Sequence, residues 1–136
     1  MNDIETKRIK VLLVDDEKDI IDLLDNLMRM VGIDSVSARD GEEGWEKFVH
    51  ENPDAVVSDI AMPRMNGIDL LEKIKQSAPN VPVILVTGYG EYQKMLKEKF
   101  LQCEGFLNKP IDLKRILEIL SDYFPQINDN MASLRF

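Results

Sequence analysis

Short apolar runs alternate with segments of helical periodicity along most of this chain, and that alternation limits the fold more than any other feature. The most informative run is 55–58, which stops at Asp59 and is followed by a turn that contains Pro63 and Asn66-Gly67. Four residues are enough for a buried strand, but they are too few for a helix with a face of its own. Proline and the Asn-Gly pair then interrupt any regular element. We therefore predict a buried strand that ends on a single carboxylate.

Four other runs predict further strands, at residues 9–14, 34–38, 81–86 and 106–107. The run 9–14 is apolar at nearly every position, which is typical of a strand covered on both faces in a parallel sheet. The run 34–38 is more polar, so we expect it near an edge of the sheet. Each run ends at polar residues or at a turn.

The segments between these runs have helical periodicity. In the first helix, predicted over 17–31, apolar residues recur at spacings of three and four, and Gly32 follows where a left-handed C-terminal cap fits. The second helix is predicted to turn Trp45, Phe48 and Val49 inward and to end at Asn52-Pro53. A third is predicted over 68–76, a fourth with a weak apolar stripe over 91–102, and a fifth capped by Asp112.

Five strands alternating with five helices predict an α/β fold, a parallel sheet with helices on both faces. The length of 136 residues fits one domain. We assign residues 1–8 to a polar lead-in, 9–124 to the domain and 125–136 to a flexible tail.

The charge and composition exclude several classes of partner. The formal net charge of −8 argues against direct binding of nucleic acid by this chain and against docking on anionic membranes. No apolar run approaches the roughly 20 residues that a transmembrane helix needs. The first ten residues lack the apolar centre of a secretory signal, and one cysteine excludes an internal disulfide. We expect a cytoplasmic protein.

Polar residues follow four of the five predicted strands. In parallel α/β sheets the ligand site lies beyond the carboxyl ends of the strands. Five residues are expected at that edge: Asp15 and Asp16 after the first strand, Asp59 after the third, Thr87 after the fourth and Lys109 after the fifth.

These five residues suit phosphoryl transfer. Three converging carboxylates repel one another unless a cation joins them, and oxygen ligands favour a hard ion, Mg²⁺ or Mn²⁺. A lysine and a threonine hydroxyl can both bind phosphate oxygens, so the protein would position groups and stabilise charge. An aspartate can itself act as the nucleophile and form an aspartyl-phosphate.

Four motifs at the predicted strand ends carry a family resemblance. They are VDDE at 14–17, DIAMPRMNG at 59–67, VTGYG at 86–90 and FLNKP at 106–110. In this order they make residues 9–124 resemble the receiver domain of two-component response regulators. The resemblance implies a flavodoxin-like, doubly wound sheet of five parallel strands in the order 2-1-3-4-5, with five helices.

The resemblance also implies roles for the site residues. Asp59 would be the phosphoacceptor, taking a phosphoryl group from a sensor histidine kinase or a histidine phosphotransfer protein. Asp16, Asp59 and the backbone carbonyl of Ala61 would ligate Mg²⁺ (or Mn²⁺), and Asp15 would act through a water. Lys109 would bind the phosphoryl oxygens, and its peptide bond to Pro110 would be cis.

Phosphorylation would act as a switch through Thr87 and Phe106. Because Phe106 has no hydroxyl, packing alone would have to stabilise its inward orientation. Ala61 and Tyr89 would tune dephosphorylation, Tyr89 by shielding the phosphoryl group. The signal would change the face made by the fourth helix, fifth strand and fifth helix, which would bind a downstream protein or a second copy of the chain. Such a domain is not an enzyme on external substrates; it catalyses only its own phosphorylation and dephosphorylation.

Three other functions share part of this residue pattern. One is a Mg²⁺-dependent phosphohydrolase with an aspartyl nucleophile, which often has a second aspartate two residues later, where this chain has Ala61. Such enzymes also tend to have a cap that covers the substrate, for which we expect this chain to have no room. A receiver-like binding module that takes no phosphate would not need all five residues. A flavin-binding protein would need a phosphate loop after the first strand, which is absent from the sequence. Singly, each acid fits an ordinary turn or helix cap.

Overall fold

Five parallel strands form one sheet, in the order β2-β1-β3-β4-β5, in the computed structural model of this protein. The structure describes residues 8–88 and 102–134, together with Lys94 and Lys97. The strands are β1 Lys10–Val14, β2 Asp34–Ala38, β3 Ala55–Asp59, β4 Val83–Thr87 and β5 Gly105–Asn108. The predicted α/β fold with sheet order 2-1-3-4-5 is confirmed.

Helices connect the strands and cover both faces of the sheet. They are α1 Lys18–Met30, α2 Gly41–Glu51, α3 Gly67–Ser77 and a helix after β5, Leu113–Tyr123. Lys94 and Lys97, within the predicted fourth helix, both have helical backbone; the rest of that prediction, residue 102 aside, falls outside the described residues. None of the helices in the described part of the chain is long and apolar enough to cross a membrane.

Alternate residues of the central strands point into two separate cores. Val11 and Leu13 of β1 pack with α1 and the Leu113–Tyr123 helix, whereas Leu12 and Val14 pack with α2 and α3. Every residue of β3 and β4 is buried. Covering on both faces explains why these strands are apolar at nearly every position. It also leaves their carboxyl ends as the natural place for polar groups.

Helix α2 lies on the sheet differently from the prediction. Phe48 is buried as expected, but Val49 is 57% exposed, so its predicted inward position is wrong. The helix approaches its neighbours through glycine: a Cβ at Gly44 would come within 3.1 Å of Leu70 and 3.2 Å of Val14. This close contact sets the buried face of the helix, and Val49 lies outside it.

The segment after the Leu113–Tyr123 helix, where the sequence predicts a flexible tail, packs against the core over residues 125–134. A 3₁₀ turn, Pro125–Ile127, and a short helix, Asn128–Met131, place Ile127 at 3% exposure. Asn130 Nδ2 donates to the carbonyl of Val31 at 3.0 Å, just beyond the end of α1. Apolar burial and this hydrogen bond fix the segment to α1.

Candidate functional site

The predicted site residues meet at the carboxyl edge of the sheet. Asp59 and Thr87 are the last residues of β3 and β4, and Asp15 directly follows β1. The amide of Asp15 donates to the carbonyl of Ala38 at 3.1 Å, which extends the β1–β2 pairing by one residue. Asp15, Asp59 and Thr87 are exposed by only 2%, 6% and 0%. Because the strands are parallel, these side chains share one edge.

Lys109 contacts the acids from the end of β5. Its Nζ lies 3.5 Å from Asp15 Oδ2, 3.6 Å from Asp59 Oδ2 and 3.8 Å from Glu17 Oε1. The Lys109 amide donates to the carbonyl of Thr87 at 2.8 Å, and the Lys109–Pro110 peptide bond is cis. Backbone pairing with β4 therefore brings this lysine to the acids.

The two carboxylate oxygens of Asp59 have different surroundings: Oδ1 accepts a backbone hydrogen bond and Oδ2 faces Lys109. Its Oδ1 accepts the amide of Ile60 at 2.9 Å. Burial, followed by the charge of Asp15, raises the pKa of the Asp59 carboxyl to about 6, although Lys109 and the Ile60 amide oppose the shift. Burial is thus the main reason that the Asp59 carboxylate resists ionisation, and the neighbouring charge of Asp15 adds to it despite Lys109.

The pKa shifts of Asp15 and Lys109 have the same two causes, burial and neighbouring charge. Burial raises the pKa of the Asp15 carboxyl, despite the hydrogen bond from the Glu17 amide at 2.9 Å and the charge of Lys109. Burial alone would lower the pKa of the Lys109 ammonium, but Asp15, Asp59 and Glu17 outweigh it and raise that pKa. The lysine is thus firmly charged while its two buried partners resist ionisation.

An acidic group at the start of α1 could hold a cation. Carboxylate oxygens of Asp15, Asp16 and Glu17 lie within 4.8 Å of one another. Glu17 was missed from the sequence, where it looked like the first residue of a helix; it is the N-cap of α1, and its side chain forms no capping bond. Neither Asp15 nor Asp16 is thus the N-cap residue, although Asp15 accepts the Glu17 amide at the start of the helix. The carboxylate oxygens of this group are ligands of the kind that Mg²⁺ prefers.

The loop between β3 and α3, residues 60–66, follows Asp59 closely. The amide of Gly67 donates to the carbonyl of Ile60 at 2.9 Å, which joins the two ends of the loop. A Cβ at Gly67 would lie 2.2 Å from the Asp59 carbonyl oxygen, so only glycine fits there. Asn66 caps α3 by accepting the amide of Asp69. This compact loop carries the half-buried Ala61 beside the site.

An ion pair that the sequence analysis missed ties this loop to α2. Arg64 Nε and Nη2 lie 3.0 and 2.7 Å from Asp40 Oδ2. Asp40 is also the N-cap residue of α2, because its other carboxylate oxygen accepts the Glu43 amide. Asp40-Gly41 was interpreted only as a turn. The pairing joins residues 24 positions apart, which no local pattern reveals.

The remaining predicted residues are divided between the described and undescribed parts of the chain. Phe106, in β5, is half-buried and packs against the core beneath α2 and α3. Tyr89 lies outside the described residues. The sheet edge thus brings together Asp15, Asp59, Thr87 and Lys109, with Asp16 and Ala61 beside them.

A family model for the response regulator receiver domain matches residues 11–121, which is most of the chain. This chain belongs to the response regulator receiver domain family. Its members are signalling domains of two-component systems rather than enzymes acting on external substrates.

The curated relatives of this receiver domain are bacterial regulators and related proteins. Response regulator protein PilR of Pseudomonas aeruginosa is 35% identical over 114 residues, which are 84% of this chain and 26% of that protein. Sporulation initiation phosphotransferase F of Bacillus subtilis is 32% identical over 116 residues, 85% of this chain and 94% of that protein. The chain spans only 26% to 44% of the length of PilR and two other relatives.

Solved structures show the same fold. A CheY-like receiver domain protein from Methanospirillum hungatei has a TM-score of 0.80 and 25% identity, covering 90% of this chain and 98% of that chain. The CheX-CheY-BeF3-Mg²⁺ complex from Borrelia burgdorferi has a TM-score of 0.76 and 30% identity, covering 85% of this chain and 89% of that chain.

Proposed function

We propose that this receiver domain is a phosphorylation-activated switch with Asp59 as its phosphoacceptor. An Asp59 oxygen attacks the phosphorus of a phosphohistidine on a sensor kinase or phosphotransfer protein. The P–N bond breaks, and its electron pair returns to the imidazole nitrogen. The observation that carries the proposal is the buried Asp59 facing Lys109 at 3.6 Å beside a second buried acid.

The donor set fits a bound Mg²⁺ or Mn²⁺. Asp16, Asp59 and the Ala61 carbonyl would hold the ion, and Asp15 would contribute through a water. When bound, the ion supplies the positive charge that the acid cluster lacks and neutralises charge on the transferring phosphoryl group. The raised pKa of Asp59, to about 6, supports this fit, because a cation would favour its ionised, nucleophilic form.

Lys109 supplies the protein's own positive charge at the site. Its Nζ is 3.5 and 3.6 Å from the two buried acids, longer than a tight ion pair, so it can shift to a phosphoryl oxygen without losing an optimised contact. Its backbone bond to Thr87 keeps it at the rim.

Thr87 and Phe106 would transmit the change. Thr87 is fully buried at the end of β4, next to the phosphoacceptor strand, and Phe106 sits on the neighbouring β5. A Thr87 hydroxyl that hydrogen-bonds the phosphoryl group leaves room for Phe106 to pack inward. The coupled shift biases a two-state equilibrium of one face of the domain, which is formed by the predicted fourth helix, β5 and the Leu113–Tyr123 helix. This face binds a downstream protein or a second copy of the chain.

Two relatives support the chemistry. The Bacillus relative is named a phosphotransferase, and this chain covers 94% of it. The Borrelia structure is of a complex that contains BeF3, Mg²⁺ and a partner protein. The first name is consistent with phosphoryl transfer, and the second title is consistent with a divalent cation and a partner protein at such a domain.

The test is incubation with Mg²⁺ and acetyl phosphate, followed by intact mass measurement. We expect one phosphoryl adduct on the wild type and none on Asp59→Ala or in EDTA. A wild type that folds and binds Mg²⁺ without taking the adduct supports the pure binding module instead. Rapid turnover of diverse phosphoesters supports the phosphohydrolase.

Tyr89 and Ala61 would set how long the phosphoryl group survives. We propose that Tyr89 shields it from water, so Tyr89→Ala should hydrolyse faster than wild type in a phosphate-release assay. Hydrolysis that is unchanged or slower contradicts this role. Tyr123→Ala, which changes a tyrosine beside the amino ends of β3 and β4, is the matched control.

A further inference from the structure

The Arg64–Asp40 ion pair joins an arginine whose side chain is 63% exposed to a buried carboxylate. Two of the three guanidinium nitrogens of Arg64, Nε and Nη2, donate to the same oxygen of Asp40, Oδ2, whose side chain is only 8% exposed. The other Asp40 oxygen is occupied by the Glu43 amide at 2.8 Å. The Glu43 amide and Arg64 together lower the pKa of the Asp40 carboxyl, so the pair stays charged at neutral pH.

The backbone at Arg64 is held in a conformation that needs support. Its φ of 68° lies in the left-handed region, which residues with a Cβ seldom adopt. Such a conformation persists where the surrounding structure imposes it. Within residues 8–88 and 102–134, every side-chain hydrogen bond made by positions 61–65 comes from Arg64. The middle of the loop is therefore held by the Asp40 carboxylate together with the packing of Met62 and Met65 against the core.

The loop also touches α2 directly. A Cβ at Gly41 would lie 2.0 Å from the carbonyl oxygen of Met65 and 2.6 Å from its Cβ. The first turn of α2 and the loop thus meet backbone to backbone, directly beside the ion pair. Ala61 lies three residues before Arg64 in the same short loop, so the position of the middle of the loop bears on the backbone at Ala61.

We propose that Arg64 and Asp40 are positioning residues for the phosphorylation site. The pair holds the 60–66 loop against α2 and so keeps the Ala61 carbonyl where the divalent cation binds. This inference rests on the proposed Mg²⁺ site. It concerns affinity for the ion, because neither Arg64 nor Asp40 touches the reacting groups.

The first experiment measures Mg²⁺ binding by titration calorimetry, without any phosphodonor. Arg64→Ala and Asp40→Asn should each weaken Mg²⁺ affinity about tenfold, the size expected for residues that orient a metal ligand. Asparagine keeps the N-cap acceptor of α2, so Asp40→Asn removes only the ion pair. Arg64→Lys keeps the charge and should restore part of the affinity. Arg29→Ala, which breaks an exposed pair with Asp25, is the matched control and should change nothing.

A double variant separates the pair from two independent surface effects. If Arg64 and Asp40 act as one unit, Arg64→Ala with Asp40→Asn should bind Mg²⁺ no more weakly than either single variant. Multiplying effects overturn the inference, and so do unchanged affinities in correctly folded single variants. A wild type that binds no Mg²⁺ overturns it as well.

A second readout distinguishes this inference from the proposed function. At saturating Mg²⁺, the variants should take phosphoryl from acetyl phosphate within about twofold of the wild-type rate, because the loss lies in metal affinity. A rate that falls at saturation while affinity is unchanged contradicts positioning through the ion. If the wild type binds Mg²⁺ with the predicted variant pattern but takes no phosphoryl group, the phosphoacceptor proposal fails and the role of Arg64 stands.

Discussion

Two lysine–carboxylate clusters lie at opposite ends of the sheet and differ in how well their charges are matched. At the amino end, Lys75 Nζ is 2.7 Å from Glu104 Oε1 and donates to the carbonyl of Val81 at 2.8 Å. The same Glu104 oxygen accepts the Val83 amide at 2.7 Å. One lysine meets one acid, and backbone groups share the hydrogen bonds. This cluster joins α3, β4 and β5.

At the carboxyl end, one lysine faces several acids at longer range. Lys109 Nζ is 3.5 to 3.8 Å from three carboxylates, and the pKa of Asp59 rises to about 6. The two clusters use the same side-chain types on the same scaffold. The difference is consistent with a structural role for the matched cluster and with our proposal that a cation completes the unmatched one.

The largest effect should come from breaking the matched cluster. Glu104→Ala leaves Lys75 without its carboxylate and the Val83 amide without its acceptor. We expect the free energy of unfolding to fall by about 2–3 kcal/mol. Chemical denaturation measures it, with the exposed Glu118→Ala as a control expected within about 0.5 kcal/mol of wild type. A loss no larger than the control's would mean that this cluster is not structural.

The unmatched cluster should respond with the opposite sign. The pKa of Asp59 rises from 3.8 to about 6 on folding, so folding favours its protonated form. That stability is present below pH about 4 and is lost as the pH rises through 6. In metal-free buffer at pH 7.5, Asp59→Asn should therefore stabilise the protein, by about 2 kcal/mol. Denaturation in EDTA across pH 4–8 checks this.

The gain from Asp59→Asn should become small near pH 4, where Asp59 is protonated in the folded protein and about half protonated in the unfolded chain. A variant that is less stable than wild type at pH 7.5 would show that Lys109 already compensates the acids. Glu104→Ala supplies the comparison, because its deficit should persist at pH 7.5 in the same buffer.

The smallest effect should come from the ion itself. Mg²⁺ at ten times its dissociation constant should stabilise the wild type by about 1.4 kcal/mol. Glu104→Ala should gain the same amount because its site is intact, whereas Asp59→Asn should gain much less. Thermal unfolding with and without Mg²⁺ measures the difference. Equal gains in all three proteins would place the ion away from Asp59.

The two ends also differ in how visible they were in the sequence. Asp15, Asp59, Thr87 and Lys109 follow apolar runs directly, so the rule for parallel sheets places them together. The central strands were equally clear, since burial on both faces leaves continuous apolar runs. Local pattern and topology therefore suffice for most of the sheet and for the acids at its rim.

What the sequence did not reveal depends on long-range contacts. Val49 was expected inward, but glycine contacts orient α2 and leave that residue in solvent. The Arg64–Asp40 pair spans 24 positions, and Lys75–Glu104 spans 29. The packing of residues 125–134 against the core depends on the burial of Ile127 beside α1. Each is a tertiary choice that periodicity does not encode.

The central claim is that Asp59 takes the phosphoryl group, and locating that group tests it most directly. The chain is treated with acetyl phosphate and Mg²⁺, the acyl phosphate is reduced with borohydride, and peptides are sequenced by mass spectrometry. Reduction converts a phosphorylated aspartate to homoserine. We predict homoserine at position 59 alone. Homoserine at position 15 or 16 instead, or nowhere in a chain that binds Mg²⁺, would contradict the account.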